Sequence, residues 1–312
     1  MSEVKFIPPH PLKTSVLFLI FNRPDVTKRV FEAIRQAKPP RLYVAADGPR
    51  KDKEGEAEVV QKVRKLVMDN IDWDCEVKTL FREKNLGCKY AVSGAIDWFF
   101  ENEEMGIILE DDCLPSQSFF WFCEELLERY KDDLRIWHIS GNNFHFGWKR
   151  DSEYSYYFSY YGSIWGWGSW KSRWKHYDVE IENYEEIKSK NYLWDVFGNQ
   201  KEASFRINNF DKIKKGLDTW DFQWAYTRFI NSGLSIVPIE NLVKNLGFCE
   251  DATHTHCKND KRTNIKASEI KFPLIHQKFI IRDKISDDKY FRDFVQSKSG
   301  KLKKIVKRVI RK

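Results

Sequence analysis

Three consecutive acidic residues follow a short apolar segment and are the first candidates for chemistry. Glu110, Asp111 and Asp112 come directly after residues 105–109, whose sequence MGIIL is typical of a buried strand. Neighbouring carboxylates at a strand end suit a hard divalent cation, which prefers oxygen ligands and can bridge a diphosphate. The alternative is that the acids only stabilise the start of the next helix.

Polar residues also follow the first two apolar segments of the chain. Asn22 and Arg23 follow residues 15–21, and Asp47 follows residues 41–46. Arg23 is suited to a phosphate or a base edge, and Asp47 could accept the N3–H of a uracil. The alternative is that the polar residues after both segments only form ordinary turns between a strand and a helix.

Residues 154–174 are dense in aromatic side chains and contain several glycines. Aromatic faces can stack on sugar rings, and glycines let a ligand approach the backbone. We expect most of these residues to pack in the core. Trp165 and Trp167, each flanked by glycine, are the candidates for binding an acceptor.

Two aspartates in residues 217–224 are candidates for a general base. An aspartate at a helix start among aromatic residues could have a raised pKa and accept a proton. Asp221 fits that role, whereas Asp218 also fits the role of a helix N-cap.

Two histidines lie in residues 250–256. A neutral imidazole could complete a metal site, and His254 is the candidate, although an isolated histidine is more often not a ligand.

The elements that position these residues alternate between strand and helix. Strands are predicted at residues 15–21, 41–46, 75–81 and 105–109, and helices at 24–37, 54–70, 86–100 and 115–130. Such repeats predict an α/β fold with a mostly parallel sheet flanked by helices. Ligands of these sheets bind at the carboxyl ends of the strands, where the polar residues above are found.

The second half of the chain has a different pattern. Residues 135–168 read as strands and loops, followed by helices at 169–177 and 218–232 and a strand at 234–238.

Length and composition indicate one large domain rather than a membrane-spanning or disulfide-linked protein. The chain has 312 residues, 42% of them hydrophobic, and no apolar run of about 18 residues. We identify no signal peptide. The six cysteines form no CxxC pair, which predicts reduced thiols and a cytoplasmic location.

The net charge of +7 is concentrated at the C-terminus, where residues 301–312 contain five Lys and two Arg without an acid. The remainder is near neutral, which argues against nucleic acid as a partner. Apolar residues recur in this tail at helical spacing, so it is predicted to be a basic amphipathic helix on the inner face of the cytoplasmic membrane. A solvated terminus is the alternative.

These blocks together resemble a known family. VLFLIFNRPDVTKRVFEAI, YVAADGPR, IILEDDCLPSQSFFWFCEELL and WDFQWAYTRFINSGLSIVPIENLVKNLGF resemble a bacterial family of nucleotide-diphospho-sugar transferases, some of which carry a "hemolytic protein" label. The same blocks distantly resemble eukaryotic β-1,2-N-acetylglucosaminyltransferase I. The resemblance implies a GT-A (Rossmann-like) fold, a UDP-sugar donor, Mn²⁺ or Mg²⁺, and inversion at the anomeric carbon.

The resemblance also implies roles for nucleotide-binding residues. Arg23 and Asp47 would hold the nucleotide, Lys89 would lie near the diphosphate, and Glu110 and Asp111 would face the ribose and the donor sugar.

The remaining implied roles concern the metal and the base. Asp112 would be the direct metal ligand, and Asp221 would match the base. The relative has adjacent acids after the Trp where this chain has Asp-Phe-Gln, so Asp218 remains a rival. His254 matches no ligand of the relative.

The sequence therefore predicts a metal-dependent inverting glycosyltransferase that uses a UDP-sugar, with GlcNAc as one possible donor sugar and a glycan or lipid-linked acceptor. Its predicted parts are a nucleotide-sugar-binding half (1–135), an acceptor and catalytic half (136–258), an extension (259–300) and the tail (301–312). The alternatives are a sugar nucleotidyltransferase and a carbohydrate-binding protein without activity.

Overall fold

The computed structural model describes residues 6–247 and 265–296. The side chains of residues 294–296 are not described. The predicted roles of His254 and of the tail at 301–312 lie outside the described residues.

The first half of the chain alternates between strands and helices as predicted. Its strands are β1 (Val16–Ile20), β2 (Arg41–Ala46), β3 (Glu76–Phe81), β4 (Met105–Glu110) and the short β5 (Cys113–Pro115). Its helices are α1 (Pro24–Ala37), α2 (Glu56–Met68), α3 (Gly87–Asn102) and α4 (Ser118–Arg129). Pro24 at the first position of α1 supports the helix start, because proline lacks the N–H that would be unpaired there.

The second half adds four strands to the sheet that β1 to β4 form, a fifth strand that pairs with β5, and a group of helices. The strands are β6 (Ile136–Ser140), β7 (Tyr156–Ser159), β8 (Trp167–Trp170), β9 (Leu234–Pro238) and β10 (Val243–Asn245). The helices are α5 (Lys171–Trp174), α6 (Tyr184–Ser189), α7 (Tyr192–Phe197), α8 (Gln200–Lys214), α9 (Asp221–Ile230) and α10 (Lys284–Tyr290), followed by a π-helical turn (Phe291–Gln296).

Eight strands form one mixed, mostly parallel sheet in the order β3-β2-β1-β4-β8-β6-β9-β7. β1 to β4 are mutually parallel. β6 runs in the same direction as β4, because β8 lies between them and is antiparallel to both. β9 is parallel to β6 and therefore runs in that direction too. β7 is antiparallel to β9. The carboxyl ends of β1, β2, β4, β6 and β9 therefore lie along one edge of the sheet.

Helices cover both faces of this sheet, which confirms the predicted fold class. Phe18 on β1 faces a core that includes apolar residues of α1, α2 and α4, whereas its neighbours Leu17 and Leu19 face a core formed with α3 and α9. Burial on both faces explains why the strands read as continuous apolar runs. Within the described residues, no helix is both long and apolar enough to cross a membrane.

The predicted helix at 169–177 is confirmed only at Lys171–Trp174 and is wrong at its start. Residues Trp167–Trp170 form β8, which pairs with β4 and β6, and only Lys171–Trp174 is helical. β8 lies in the centre of the sheet and forms hydrogen bonds with strands that are distant in sequence. These hydrogen bonds outweigh the local helix propensity. The strand pair β5–β10 and the helices α6 to α8 were not predicted. The proposed division of the chain at residue 135 remains a prediction.

Candidate functional site

The acidic triplet lies where β4 ends and the chain turns into β5. Glu110 is the last residue of β4, and Asp111 and Asp112 occupy the turn. Asp111 is 3% exposed and Asp112 is 8% exposed. Buried carboxylates require a partner of opposite charge or a set of hydrogen bonds, so this turn must be neutralised by its surroundings.

Arg23 supplies that neutralising charge. It follows β1, the strand beside β4, and occupies the N-cap position of α1. Its guanidinium forms an ion pair with Asp111 through Nη2, and its Nη1 donates to Asp112 Oδ2 at 3.0 Å. Burial lowers the pKa of Arg23, but the charges of Asp111 and Asp112 outweigh it and raise the pKa above its ordinary value. One cationic group therefore bridges both aspartates.

The end of β10 and the residues just after it lie against Asp112. Asn245 Nδ2 donates to Asp112 Oδ1 at 3.3 Å. A Cβ added at Gly247 would collide with Asp112 Oδ2 and would lie 3.1 Å from Arg23 Nη1. A side chain at this position would therefore force the carboxylate of Asp112 or the guanidinium of Arg23 to move, because the backbone approaches both closely.

Glu110 is the least satisfied acid of the triplet. Its Oε1 is buried and has no hydrogen-bond partner. Burial raises the pKa of Glu110 most strongly, the charges of Asp112 and Asp111 raise it further, and Asp221 also contributes. Burial likewise raises the pKa of Asp111, against the opposing effect of Arg23. The site thus holds more negative charge than Arg23 alone can offset.

We expect Glu110→Gln to stabilise the metal-free protein at neutral and alkaline pH. An acid with a raised pKa in the folded state destabilises the fold progressively as pH rises above its ordinary value, 4.5 for Glu110. The variant removes that cost, so its Tm in EDTA should exceed that of the wild type by about 2–5 °C at pH 8. The two Tm values should converge near pH 4. A pH-independent difference would contradict this interpretation.

Most predicted nucleotide-site residues line one cavity of about 260 Å³ at the carboxyl ends of β1, β2 and β4. The predicted residues in its lining are Asn22, Arg23, Asp47, Glu110, Asp111 and Asp218. Side chains that are far apart in sequence meet in this cavity because they follow parallel strands that end side by side, which is where ligands of such sheets bind.

Asp47 is held rigidly in this cavity. Its Oδ1 accepts the backbone N–H of Gly48 at 2.9 Å and that of Leu86 at 3.0 Å. Burial raises the pKa of Asp47, and these N–H groups oppose the rise. Asn22 donates to Glu56, which also pairs with Arg50. The carboxylate of Asp47 is thus positioned before any ligand arrives.

Two cavity residues, Arg50 and Arg82, were not predicted. Arg82 directly follows β3 and donates to the carbonyl oxygen of Ala91 at 3.0 Å. The signal that identified Asn22 and Asp47, a polar residue after an apolar strand, applies equally to Arg82. Arg50 carried no comparable signal, because only the fold brings it to Glu56.

The two candidate bases have different environments. Asp218 accepts the backbone N–H groups of Cys88 at 3.0 Å and Lys89 at 2.7 Å, so it caps α3 from a distant part of the chain. Asp221 begins α9 and accepts a hydrogen bond from Thr219. Burial raises the pKa of Asp221, and the Thr219 bond opposes the rise. Asp218 lines the cavity and Asp221 is absent from its lining, but the carboxylate of Asp221 is not committed to the N-terminus of another helix.

Lys89 does not reach the cavity in this structure. Its Nζ pairs with Glu180 Oε1 at 2.6 Å, and its side chain is absent from the cavity lining. The implied position near a diphosphate is therefore not the one observed. The physical reason is the nearer carboxylate of Glu180, an acid that local sequence does not bring to Lys89.

The aromatic candidates also differ. Trp167 is fully buried and stacks on Trp220 at a centroid distance of 5.8 Å, so its predicted contact with an acceptor is corrected to a core role. Trp165 is half-buried and packs edge-on against Phe144 at 5.2 Å. Its acceptor role stays a prediction.

Comparison with known proteins gives only distant similarities. No protein-family model and no curated protein matches the sequence. HddC from Yersinia pseudotuberculosis is 13% identical over 55% of this chain and 83% of that chain, with a TM-score of 0.32. A UDP-glucose pyrophosphorylase complexed with UDP-glucose is 10% identical over 53% of this chain and 79% of that chain, with a TM-score of 0.32.

A third solved structure, 4-diphosphocytidyl-2C-methyl-D-erythritol synthase from Anaerococcus prevotii, is 8% identical over 60% of this chain and 85% of that chain, with a TM-score of 0.30. Likeness at this level carries no inference about activity. The activity is therefore inferred from the site itself.

The acids at the end of β4 fit a divalent cation. The described residues contain no cluster of three or more His, Cys, Asp or Glu side chains arranged to hold a metal ion. Asp111 and Asp112 nevertheless converge on one cationic group, the guanidinium of Arg23. Mg²⁺ is commonly held by one or two carboxylates, with the remaining positions filled by water and substrate phosphates. The two aspartates would provide the protein ligands of such a site.

Proposed function

We propose that the protein is a metal-dependent glycosyltransferase that transfers a sugar from a UDP-sugar to an acceptor hydroxyl, with inversion at the anomeric carbon. The observation that supports this most is the convergence of Asp111 and Asp112 on the guanidinium of Arg23, which lines the cavity together with Asp111. The same cavity contains Asp47, which is suited to a uracil N3–H. A diphosphate flanked by a uridine on one side and a sugar on the other fits this order of groups.

Arg23 and the two aspartates would share the charge of the donor. A divalent cation bound by Asp111 and Asp112 would stabilise the diphosphate as a leaving group. Arg23 would then be released to pair with phosphate oxygens, for which a guanidinium is well suited.

Asp221 is proposed as the general base. It would accept the proton of the acceptor hydroxyl while that oxygen attacks the anomeric carbon and the bond to UDP breaks. The products are the new glycoside, UDP and protonated Asp221. The raised pKa of Asp221, caused by burial, makes the carboxylate a better proton acceptor than an exposed aspartate.

A screen of UDP-sugars tests this proposal. We expect at least one UDP-sugar to release UDP slowly by hydrolysis when Mn²⁺ is present and not when EDTA replaces it. The matched nucleotidyltransferase assay supplies UTP and sugar 1-phosphates and measures pyrophosphate. Pyrophosphate release without UDP release would identify a nucleotidyltransferase instead. That result would be unexpected, because the turn after β1 is Asn22-Arg23-Pro24 and lacks the usual glycine-rich loop.

A further inference from the structure

A second cavity of about 390 Å³ lies at the same edge of the sheet as the acidic site. It is bounded by residues after β6 and β9, at the start of β7, and in the segment before α10. β4, β6 and β9 all end at this edge, so both cavities open along one side of the protein. The volume is within the range of about 300–1,000 Å³ that is usual for small-molecule sites.

The cavity combines aromatic walls with unsatisfied polar groups. Trp148, Tyr154 and Phe279 line it, and Phe279 is 51% exposed. His145 also lines it and is only 6% exposed, yet its Nδ1 has no hydrogen-bond partner. Leaving such a group unpaired costs about 1–3 kcal/mol. A ligand that pairs with His145 would recover that cost.

Two side chains of this cavity have a nitrogen without a hydrogen-bond partner; one is neutral, and the charge of the other is offset by an aspartate. His145 Nε2 lies 2.9 Å from the hydroxyl of Tyr157, so only Nδ1 remains available. Burial first, and then Lys289, lower the pKa of His145 to about 4, so its ring is neutral. Nη2 of Arg282 is also buried without a partner, although Nε of the same side chain binds Asp287 at 2.6 Å.

The other cations of the cavity are already paired. Lys149 forms an ion pair with Glu240, and Arg150 pairs with Asp283 at 2.7 Å. An anion such as a phosphate would therefore find little uncompensated positive charge. A hydroxyl group can both donate and accept, so it can satisfy an imidazole nitrogen of either tautomer and a guanidinium N–H. Hydroxyls on a ring with apolar faces, next to aromatic walls, describe a sugar.

A short segment of the chain lies between Asn143, which lines this cavity, and Asp112 of the acidic triplet. Asn143 Oδ1 accepts the N–H of His145 at 2.8 Å, and the N–H of Asn143 donates to Asn241 Oδ1 at 3.1 Å. Asn245, at the end of β10, contacts Asp112. Residues 241–245 therefore contact Asn143 at one end and Asp112 at the other.

We propose that this second cavity binds a hexose residue of the acceptor glycan. The assignment to the acceptor rests on the proposed function, whereas the binding of a sugar does not. The cavity would hold a residue of the acceptor chain away from the reacting hydroxyl, and so determine which glycans are used.

Saturation-transfer NMR with methyl glycosides of glucose, galactose, mannose and N-acetylglucosamine tests the proposal. The variants are Phe279→Ala, which removes an exposed wall, and His145→Phe, which keeps a ring but removes both nitrogens. Tyr192→Ala is the control, because Tyr192 is a similarly exposed aromatic, at 47%, on α7 and outside the cavity lining. Stabilisation by UDP with Mn²⁺ is measured on every protein.

We expect at least one glycoside to bind the wild type and the Tyr192→Ala variant. Its affinity should fall at least about fivefold in Phe279→Ala, a loss of about 1 kcal/mol, and in His145→Phe if that variant folds. UDP binding should not change in any of them. Absence of binding by all four glycosides, or full retention in Phe279→Ala, would overturn the proposal. Failure of UDP to bind the wild type would instead contradict the proposed function and leave the sugar result to be judged independently.

Discussion

Asp221→Asn is expected to lower the rate of sugar transfer by about 10²–10⁴-fold, the usual contribution of a general base. The amide is nearly isosteric with the carboxylate and can still accept the hydrogen bond from Thr219, so the start of α9 should be preserved. Affinity for UDP with Mn²⁺ should be unchanged, because this residue acts on the acceptor. The measurement is kcat with the UDP-sugar identified by the screen, together with the Kd of UDP.

Asp218→Asn is the matched control. Asparagine also caps helices well, and its single side-chain oxygen can keep the hydrogen bond from the N–H of Lys89, although it loses the one from Cys88, which Asp218 accepts on its second oxygen. Transfer by this variant should stay close to that of the wild type. Loss of transfer in Asp218→Asn, with transfer retained in Asp221→Asn, would show that Asp218 is the general base and Asp221 is not.

Asp112→Ala is expected to weaken Mn²⁺-dependent UDP binding by at least about a hundredfold, which corresponds to about 2.7 kcal/mol. The variant removes one of the two carboxylates that converge on the cationic position and leaves Arg23 paired only with Asp111. Isothermal titration with UDP, in Mn²⁺ and in EDTA, measures the effect. The wild type should lose affinity in EDTA, whereas the variant should show the same weak binding under both conditions.

Glu103→Ala controls for the loss of a buried acid. Glu103 is 9% exposed and pairs with Arg41 at 2.6 Å, at the amino end of β4 rather than its carboxyl end. Both variants should lower the free energy of unfolding, because each breaks a partly buried ion pair. Only Asp112→Ala should lose the effect of Mn²⁺. An equal loss in both would show that the aspartate acts through stability alone.

The fold and part of the lining of the 260 Å³ cavity could be predicted because they depend on local sequence patterns. Apolar runs set β1, β2 and β4, and the polar residues that end them must meet where parallel strands end. Asn22, Asp47 and Glu110 were therefore placed correctly in one cavity by spacing alone. The metal and catalytic roles of the acids remain predictions, because the geometry provides the groups but not the ligand.

The rest depended on contacts between residues distant in sequence. Trp167 lies in a central strand, and its burial follows from its pairing with β4 rather than from its flanking glycines. Lys89 turns to Glu180, and Asp218 caps a helix that begins 131 residues earlier, at Gly87. No local pattern contains such partners. The cavity around His145 likewise arises only when the segment before α10 packs against the start of β7.

Electron paramagnetic resonance of Mn²⁺ can establish whether Asp111 and Asp112 hold a cation together with the diphosphate of a donor. Titration of Mn²⁺ into the wild type with saturating UDP should show bound metal, with broadening of the ³¹P resonances of UDP by the same ion. Asp112→Ala should leave the metal free at these concentrations. Binding of UDP by the wild type without Mn²⁺, and without ³¹P broadening when Mn²⁺ is added, would contradict the account.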